Sequence, residues 1–153
     1  MQKRVKYSEA IETKFTEAIS YAISKDENGI ANPITLGWLM RTSFEPPMLA
    51  IAVGLKTHSC ETIRRSGCFT VTFPNEAQIK EAHFFGTHSG KDTDKLKEFG
   101  TATSAATEID SVILDDASAN FECVLEGELV TGDHVIFAGR VVASHVYTGV
   151  SGF

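Results

Sequence analysis

Apolar and polar residues alternate with a period of two along much of this chain, and helical periodicity is confined to short stretches. The alternation predicts a strand over residues 18–24. Asp26-Glu27-Asn28-Gly29 then has the residue types of a tight hairpin turn. The return strand is expected to hold Ile34, Leu36, Trp38 and Met40 on one face and Thr35, Gly37, Leu39 and Arg41 on the other. Beyond Pro46-Pro47, the stretch 48-MLAIAVGL-55 places Leu49, Ile51, Val53 and Leu55 on one side. Its other side, Met48, Ala50, Ala52 and Gly54, is small, which implies that a backbone or a flat ligand packs closely there. A further strand is expected over 69-FTVTF-73. Residues 119–130 and 134–146 flank Thr131-Gly132-Asp133 as a second hairpin.

Three short helices fit between these strands. Ser59 is placed to cap a helix over 60–66, with Glu61 in its first turn, Arg64 and Arg65 in its last, and Gly67 just beyond. Asn75 is placed to cap 76–85, and Asp92 or Thr93 to start 93–99 before Gly100. Six or so strands joined mainly by hairpins predict a mainly β fold, an antiparallel barrel with short α-helices plugging its openings. The length, 153 residues, fits one domain spanning 1–153 with a real core.

Charge changes the picture by exclusion. A formal charge of -6 and the absence of a basic stripe argue against nucleic acid as a partner. No apolar run is long enough to span a membrane, and the basic N-terminus is not followed by one, so a cytoplasmic protein is expected. Cys60, Cys68 and Cys123 form no CxxC and suggest buried thiols in a reducing compartment.

Catalytic signatures are missing: there is no GxSxG, no HExxH and no Walker-type phosphate loop. His83 and His88 lie five apart, off both helical ligand spacings, so no metal site is expected. The candidate chemistry lies in two loops. Lys56, Thr57, His58 and Ser59 sit at the mouth of a helix, where unpaired N–H groups and the dipole favour an anion; plain capping by Ser59 fits the same residues. The segment 86-GTHSGKDTDKLKEFG-100 joins a Ser-Gly-Lys loop, including Gly90, to a helix carrying Lys95. It reads equally as an anion site or as a solvated face.

In order and spacing, 31-ANPITLGW-38, 46-PPMLAIAVGLKTHSCETIRRSGCFTVTFP-74, 88-HSGKDTDKLKEFG-100, 121-FEC-123 and 132-GDHVIFAGRV-141 resemble the flavin reductase-like family, which includes flavoredoxins. The resemblance runs from about Ala18 to His145. It implies an FMN-binding split β-barrel acting as an NAD(P)H-dependent flavin oxidoreductase, with electrons passed to free flavin or another acceptor. It further implies a homodimer with nicotinamide or flavin as small-molecule substrate. Asn32 and Trp38 are the implied contacts to the ring region, and Thr35 and Gly37 let donors approach its edge. Ser59 stands where relatives place a phosphate-contacting threonine; Lys95 and His134 match the family lysine and the histidine of the Gly-Asp-His turn. The expected cofactor-binding set is therefore Asn32, Thr35, Gly37, Trp38, Lys56, Thr57, His58, Ser59, Gly90, Lys95 and His134, with no catalytic side chain. Departures are Lys56, displaced from the hydroxyl by Thr57 and His58, and Leu96 in place of a phenylalanine. The stretch 147-YTGVSGF-153 stands where many relatives carry an aromatic-bearing tail, with Phe153 as a candidate for that role. The alternative is a non-catalytic FMN-binding electron carrier or ligand-binding split barrel.

Overall fold

The structure is a computed structural model, and it describes residues 2–14 and 16–149. In chain order its elements are α1 (Tyr7–Ile11), β1 (Ser20–Lys25), β2 (Ala31–Leu36), β3 (Leu39–Ser43), β4 (Met48–Gly54) and α2 (His58–Ser66). Then come β5 (Cys68–Phe73), a 3-10 turn (Glu76–Gln78), α3 (Ile79–Thr87), α4 (Lys95–Phe99), β6 (Thr103–Ala105), β7 (Val112–Leu114), β8 (Ala119–Thr131) and β9 (His134–Val146).

Seven strands form one antiparallel sheet in the order β2-β1-β5-β8-β9-β4-β3, and β6 and β7 form a separate small hairpin. The order explains the Gly37-Trp38 pair. β2 and β3 are neighbours in sequence yet lie at opposite edges of the sheet, so the chain crosses from one edge to the other at Gly37 and Trp38. The expected continuous strand through Trp38 is thus two strands. The Ala52 N–H donates to the Trp38 carbonyl at 3.0 Å, starting the β3–β4 ladder at once. The sheet curls because its two edges are tied by two residues, which gives the antiparallel barrel expected from the alternation.

The barrel interior holds Ala22, Leu36, Ile51, Val53, Phe69, Val71, Val135 and Phe137 with Cys60 and Ile63 of α2. A second cluster, on the other side of β1, packs Tyr21 and Ile23 against Ala82, Phe85 and Leu96 of α3 and α4. β1 is therefore buried on both faces, which lets two helices sit beside the barrel and deliver their ends to one place.

Both hairpins form as the pattern predicts. Asp26 Oδ1 accepts from the N–H groups of Asn28 and Ile30, and Gly29 takes a φ of 78°. Gly132 takes a φ of 61° in the turn between β8 and β9. The excursion over 101–118 returns to the sheet through Glu122. Its carboxylate is fully buried on β8 and accepts from the Thr107 and Glu108 N–H groups at 2.8 and 2.7 Å. The Thr107 hydroxyl and His145 Nε2 complete its shell at 3.0 and 2.7 Å. No helix among the described residues is long and apolar enough to cross a membrane.

Candidate functional site

The turn after β4 carries the first half of the site. Thr57, not Ser59, caps α2: its Oγ1 accepts from the Cys60 N–H at 3.2 Å and donates to the Gly54 carbonyl at 2.8 Å. The helix therefore starts two residues earlier than capping by Ser59 implies. That change frees Ser59 for another task. Its side chain is 3 % exposed and accepts from Asn32 Nδ2 at 2.8 Å. Gly67, with φ 68°, closes the helix by donating to Ile63.

The second half comes from the ends of α3 and α4. Asp94, rather than the expected Asp92 or Thr93, caps α4, so Lys95 is the first helical residue. α3 runs on to Thr87, past the expected stop at Gly86. Lys95 is 3 % exposed, and its Nζ has one protein partner among the described residues, the Phe85 carbonyl at 3.1 Å. Burial lowers its pKa to about 8, and no carboxylate among the described residues is paired with it.

These halves enclose a cavity of about 310 Å³ lined by Lys56, Thr57, His58, Ser59, Gly90 and Lys95, with Ile34 and Phe85 as apolar wall. Six of the eleven expected residues thus meet in one place, and Asn32 stands directly behind Ser59. Two buried polar atoms here lack a hydrogen-bond partner, Asn32 Oδ1 and His58 Nδ1. His58 Nδ1 is 3.6 Å from Glu61, beyond hydrogen-bond reach. Gly90 is forced by space: a Cβ on it would overlap the Asn32 carboxamide and sit 3.0 Å from the His58 ring.

The remaining four expected residues lie elsewhere. Gly37 and Trp38 line a separate cleft of about 400 Å³ with Met40, Ala50, Ala52 and Ile136. Trp38 is 53 % exposed and packs on the His134 ring, centroids 4.7 Å apart. His134 Nδ1 meets Asp133 at 2.7 Å. Thr35 opens onto a third groove, of about 610 Å³, and its hydroxyl is already donated to the Ala82 carbonyl at 2.6 Å. The turn after β4 links the first two regions, since Gly54 pairs with His134 and Leu55 donates to Asp133.

Sequence reasoning passed over Lys91 and Glu61. Lys91 also lines the cavity and reaches Glu61 at 3.3 Å, tying the Gly90 loop to the first turn of α2. Lys91 holds the Glu61 carboxyl below the usual range, with His58 adding to the effect. The signal was a lysine in an anion-suited loop and an acid in a first helical turn; nothing local joined them across thirty residues. Phe153 lies outside the described residues.

The chain is similar to several known proteins. A model of the flavin reductase like domain matches residues 14–152. An uncharacterised protein of Archaeoglobus fulgidus is 29% identical over 118 residues, covering 77% of this chain and 66% of its own length. An NADH-dependent FMN reductase of Streptomyces nodosus subsp. asukaensis is 29% identical over 112 residues, or 73% of this chain and 60% of that protein. The chain thus matches about two-thirds or less of these relatives' lengths. Flavoredoxin of Methanosarcina acetivorans has the same fold, with a TM-score of 0.84 at 22% identity over 97% of this chain and 76% of that one. With the match extending over nearly all of its residues, the chain belongs to the flavin reductase-like domain family.

Proposed function

We infer that this chain is an FMN-dependent NAD(P)H oxidoreductase of the flavin reductase and flavoredoxin kind. The observation that carries the reading is Lys95, a buried ammonium with a single carbonyl partner at the wall of a cavity. A buried cation without a counter-ion is costly, and an anion in the cavity relieves that cost. The fit of a phosphate is good. The N–H groups of His58 and Ser59 take no acceptor from the described residues, and the helix dipole adds to their pull. Lys56, Thr57 and the backbone beside Gly90 complete the walls.

The Trp38 cleft supports the second part of the reading. Gly37 and Trp38, with the His134 ring tilted against the indole, offer a partly apolar surface for an aromatic ring system, while Asn32 serves the phosphate end through Ser59. A bound flavin supplies the redox chemistry, taking hydride from a nicotinamide and releasing electrons to free flavin or another acceptor. With a flavin bound, these side chains would hold the phosphate and orient the ring. The named activity of the Streptomyces relative supports the nicotinamide step. Three buried free cysteines support a reducing, cytoplasmic setting.

A second copy of the chain is the partner this reading implies. Met40, Ala50, Ala52, Ile136, Ala138 and Leu129 share the sheet face that carries the Trp38 cleft. The small side chains of β4 allow close approach, and Met40 and Leu129 are exposed there.

The test is the visible spectrum of the protein loaded with FMN, recorded without oxygen before and after NADH or NADPH. Yellow protein that bleaches supports the oxidoreductase. Yellow protein that neither nicotinamide bleaches leaves the electron-carrier alternative, and protein that takes up no FMN overturns both.

A further inference from the structure

Ser59 presents an unusual hydrogen-bond account. Its hydroxyl has one proton to give and two lone pairs to share. Asn32 Nδ2 occupies a lone pair at 2.8 Å, and the proton has no acceptor among the described residues. The backbone of Ser59 is held independently: its carbonyl accepts from Thr62 Oγ1 at 3.1 Å, and Thr62 is in turn bonded to Ser24 at 2.6 Å. Only the direction of the hydroxyl proton is left to set, and Asn32 sets it.

Asn32 is itself locked. It is 3 % exposed on β2, paired with Ser24 of β1, and its Oδ1 is pressed against Gly90 without a hydrogen-bond partner. With the carboxamide facing Ser59 through its NH₂, the hydroxyl must send its proton away from Asn32, and the open direction is the cavity.

We propose that Asn32 is a positioning residue which, by donating to Ser59 Oγ, turns the Ser59 hydroxyl into a fixed donor and so makes the cavity select a phosphate over a neutral hydroxyl-bearing group. This inference rests on the reading of the cavity as a phosphate cradle. A phosphate offers only acceptors to such a donor, and no rotation of the hydroxyl is needed to meet it. The selectivity therefore appears as a preference for FMN over riboflavin, which share the ring and differ at the phosphate.

The experiment measures FMN and riboflavin affinities, by quenching of flavin fluorescence, for the unmodified chain and for Asn32→Ala, Ser59→Ala, the double variant and Asn32→Asp. Asn32→Ala is expected to lower the FMN-to-riboflavin preference about tenfold, as does losing a hydrogen bond to a charged group. It is expected to have no further effect when Ser59 is already alanine. In Asn32→Asp the carboxylate accepts the Ser59 O–H hydrogen bond and adds like charge, so its preference falls further; circular dichroism checks that it folds. A preference unchanged in Asn32→Ala but reduced in Ser59→Ala overturns the inference and leaves the phosphate reading standing. Equal effects of Asn32→Ala on both flavins, or in both Ser59 backgrounds, reduce Asn32 to a tether of α2 and overturn it too. An unmodified chain that binds both flavins equally, or neither, brings down the phosphate reading itself.

Discussion

Lys95 and Glu122 are two buried charges with opposite accounts. Glu122 has a carboxylate shell of two backbone N–H groups, a hydroxyl and an imidazole. Burial opposes its ionisation, but those donors outweigh burial and bring its pKa down to about 2. The folded value lies below the unfolded one, so Glu122 stabilises the fold at neutral pH and that contribution drains away as pH falls from about 4.5 toward 2. Glu122→Gln is expected to cost about 2–4 kcal/mol at pH 7 in urea titrations, and the cost to shrink toward pH 3. At Lys95 it is the charged form that burial penalises, yet the pH dependence has the same sign. Its folded value of about 8 is below the unfolded one of 10.5, so the unfolded chain holds more protons between them. Stability of the flavin-free chain therefore rises across that window, by about 3 kcal/mol. Lys95→Met is expected to flatten the rise and to weaken FMN binding about tenfold or more at pH 7. In the unmodified chain FMN affinity should decline as pH climbs beyond 8, where the ammonium loses its proton.

The elements differ in how plainly the sequence announced them. Both hairpins and the helix α2 carry local chemistry, with glycines at positive φ and an acid-to-base gradient along the helix, and they were readable. The cap of α2 was not, because Thr57 and Ser59 are both hydroxyl residues and only the Gly54 carbonyl, placed by β4, decides between them. The break at Gly37-Trp38 was invisible for a different reason: Ile34, Leu36, Trp38 and Met40 keep one alternation in the sequence, whereas in the fold the partner strand changes from β1 to β4 and Leu39, not Met40, packs against the barrel with Ile34 and Leu36. The short strands β6 and β7 and the helix α1, which buries no residue, leave too little periodicity to detect. The candidate site was half legible, as two anion-suited loops, and their meeting depended on α3 and α4 packing beside β1. The Gly90 loop tests that meeting. An alanine there must displace the Asn32 carboxamide, which is buried and bonded to Ser59, so the loop rather than the carboxamide is expected to move. Gly90→Ala should weaken FMN binding about tenfold in fluorescence titrations, with riboflavin affected less, because the walls around the phosphate part.

At the scale of the whole molecule the open question is what covers the outward face of β3, β4, β9 and the end of β8. β9 buries Val135, Phe137 and Gly139 in the barrel, and its alternate residues Ile136, Ala138 and Arg140 remain half-buried on the other side. From Glu126 onward β8 has β9 as its only ladder partner, since β5 reaches no further than Val124. Leu129 is 62 % exposed and Met40 56 % on that face, beside the half-open Trp38. Such a patch of apolar side chains around a small-residue stripe is where the proposed second copy would sit, and seated there it would also wall the Trp38 cleft. Met40→Glu and Leu129→Glu change exposed positions, so each should alter folding stability by only about 0.5 kcal/mol. Placed together across a two-fold contact they bring like charges into apolar surroundings. Sedimentation of the unmodified chain is expected to give the mass of a dimer over a wide concentration range, and the double variant that of a monomer with an unchanged circular dichroism spectrum. If the partner completes the cleft, the monomeric variant should also bind riboflavin more weakly, while inorganic phosphate still competes for the Lys95 cavity. A chain that sediments as a monomer without any substitution would remove the second copy and leave the Trp38 cleft open to solvent in the working protein.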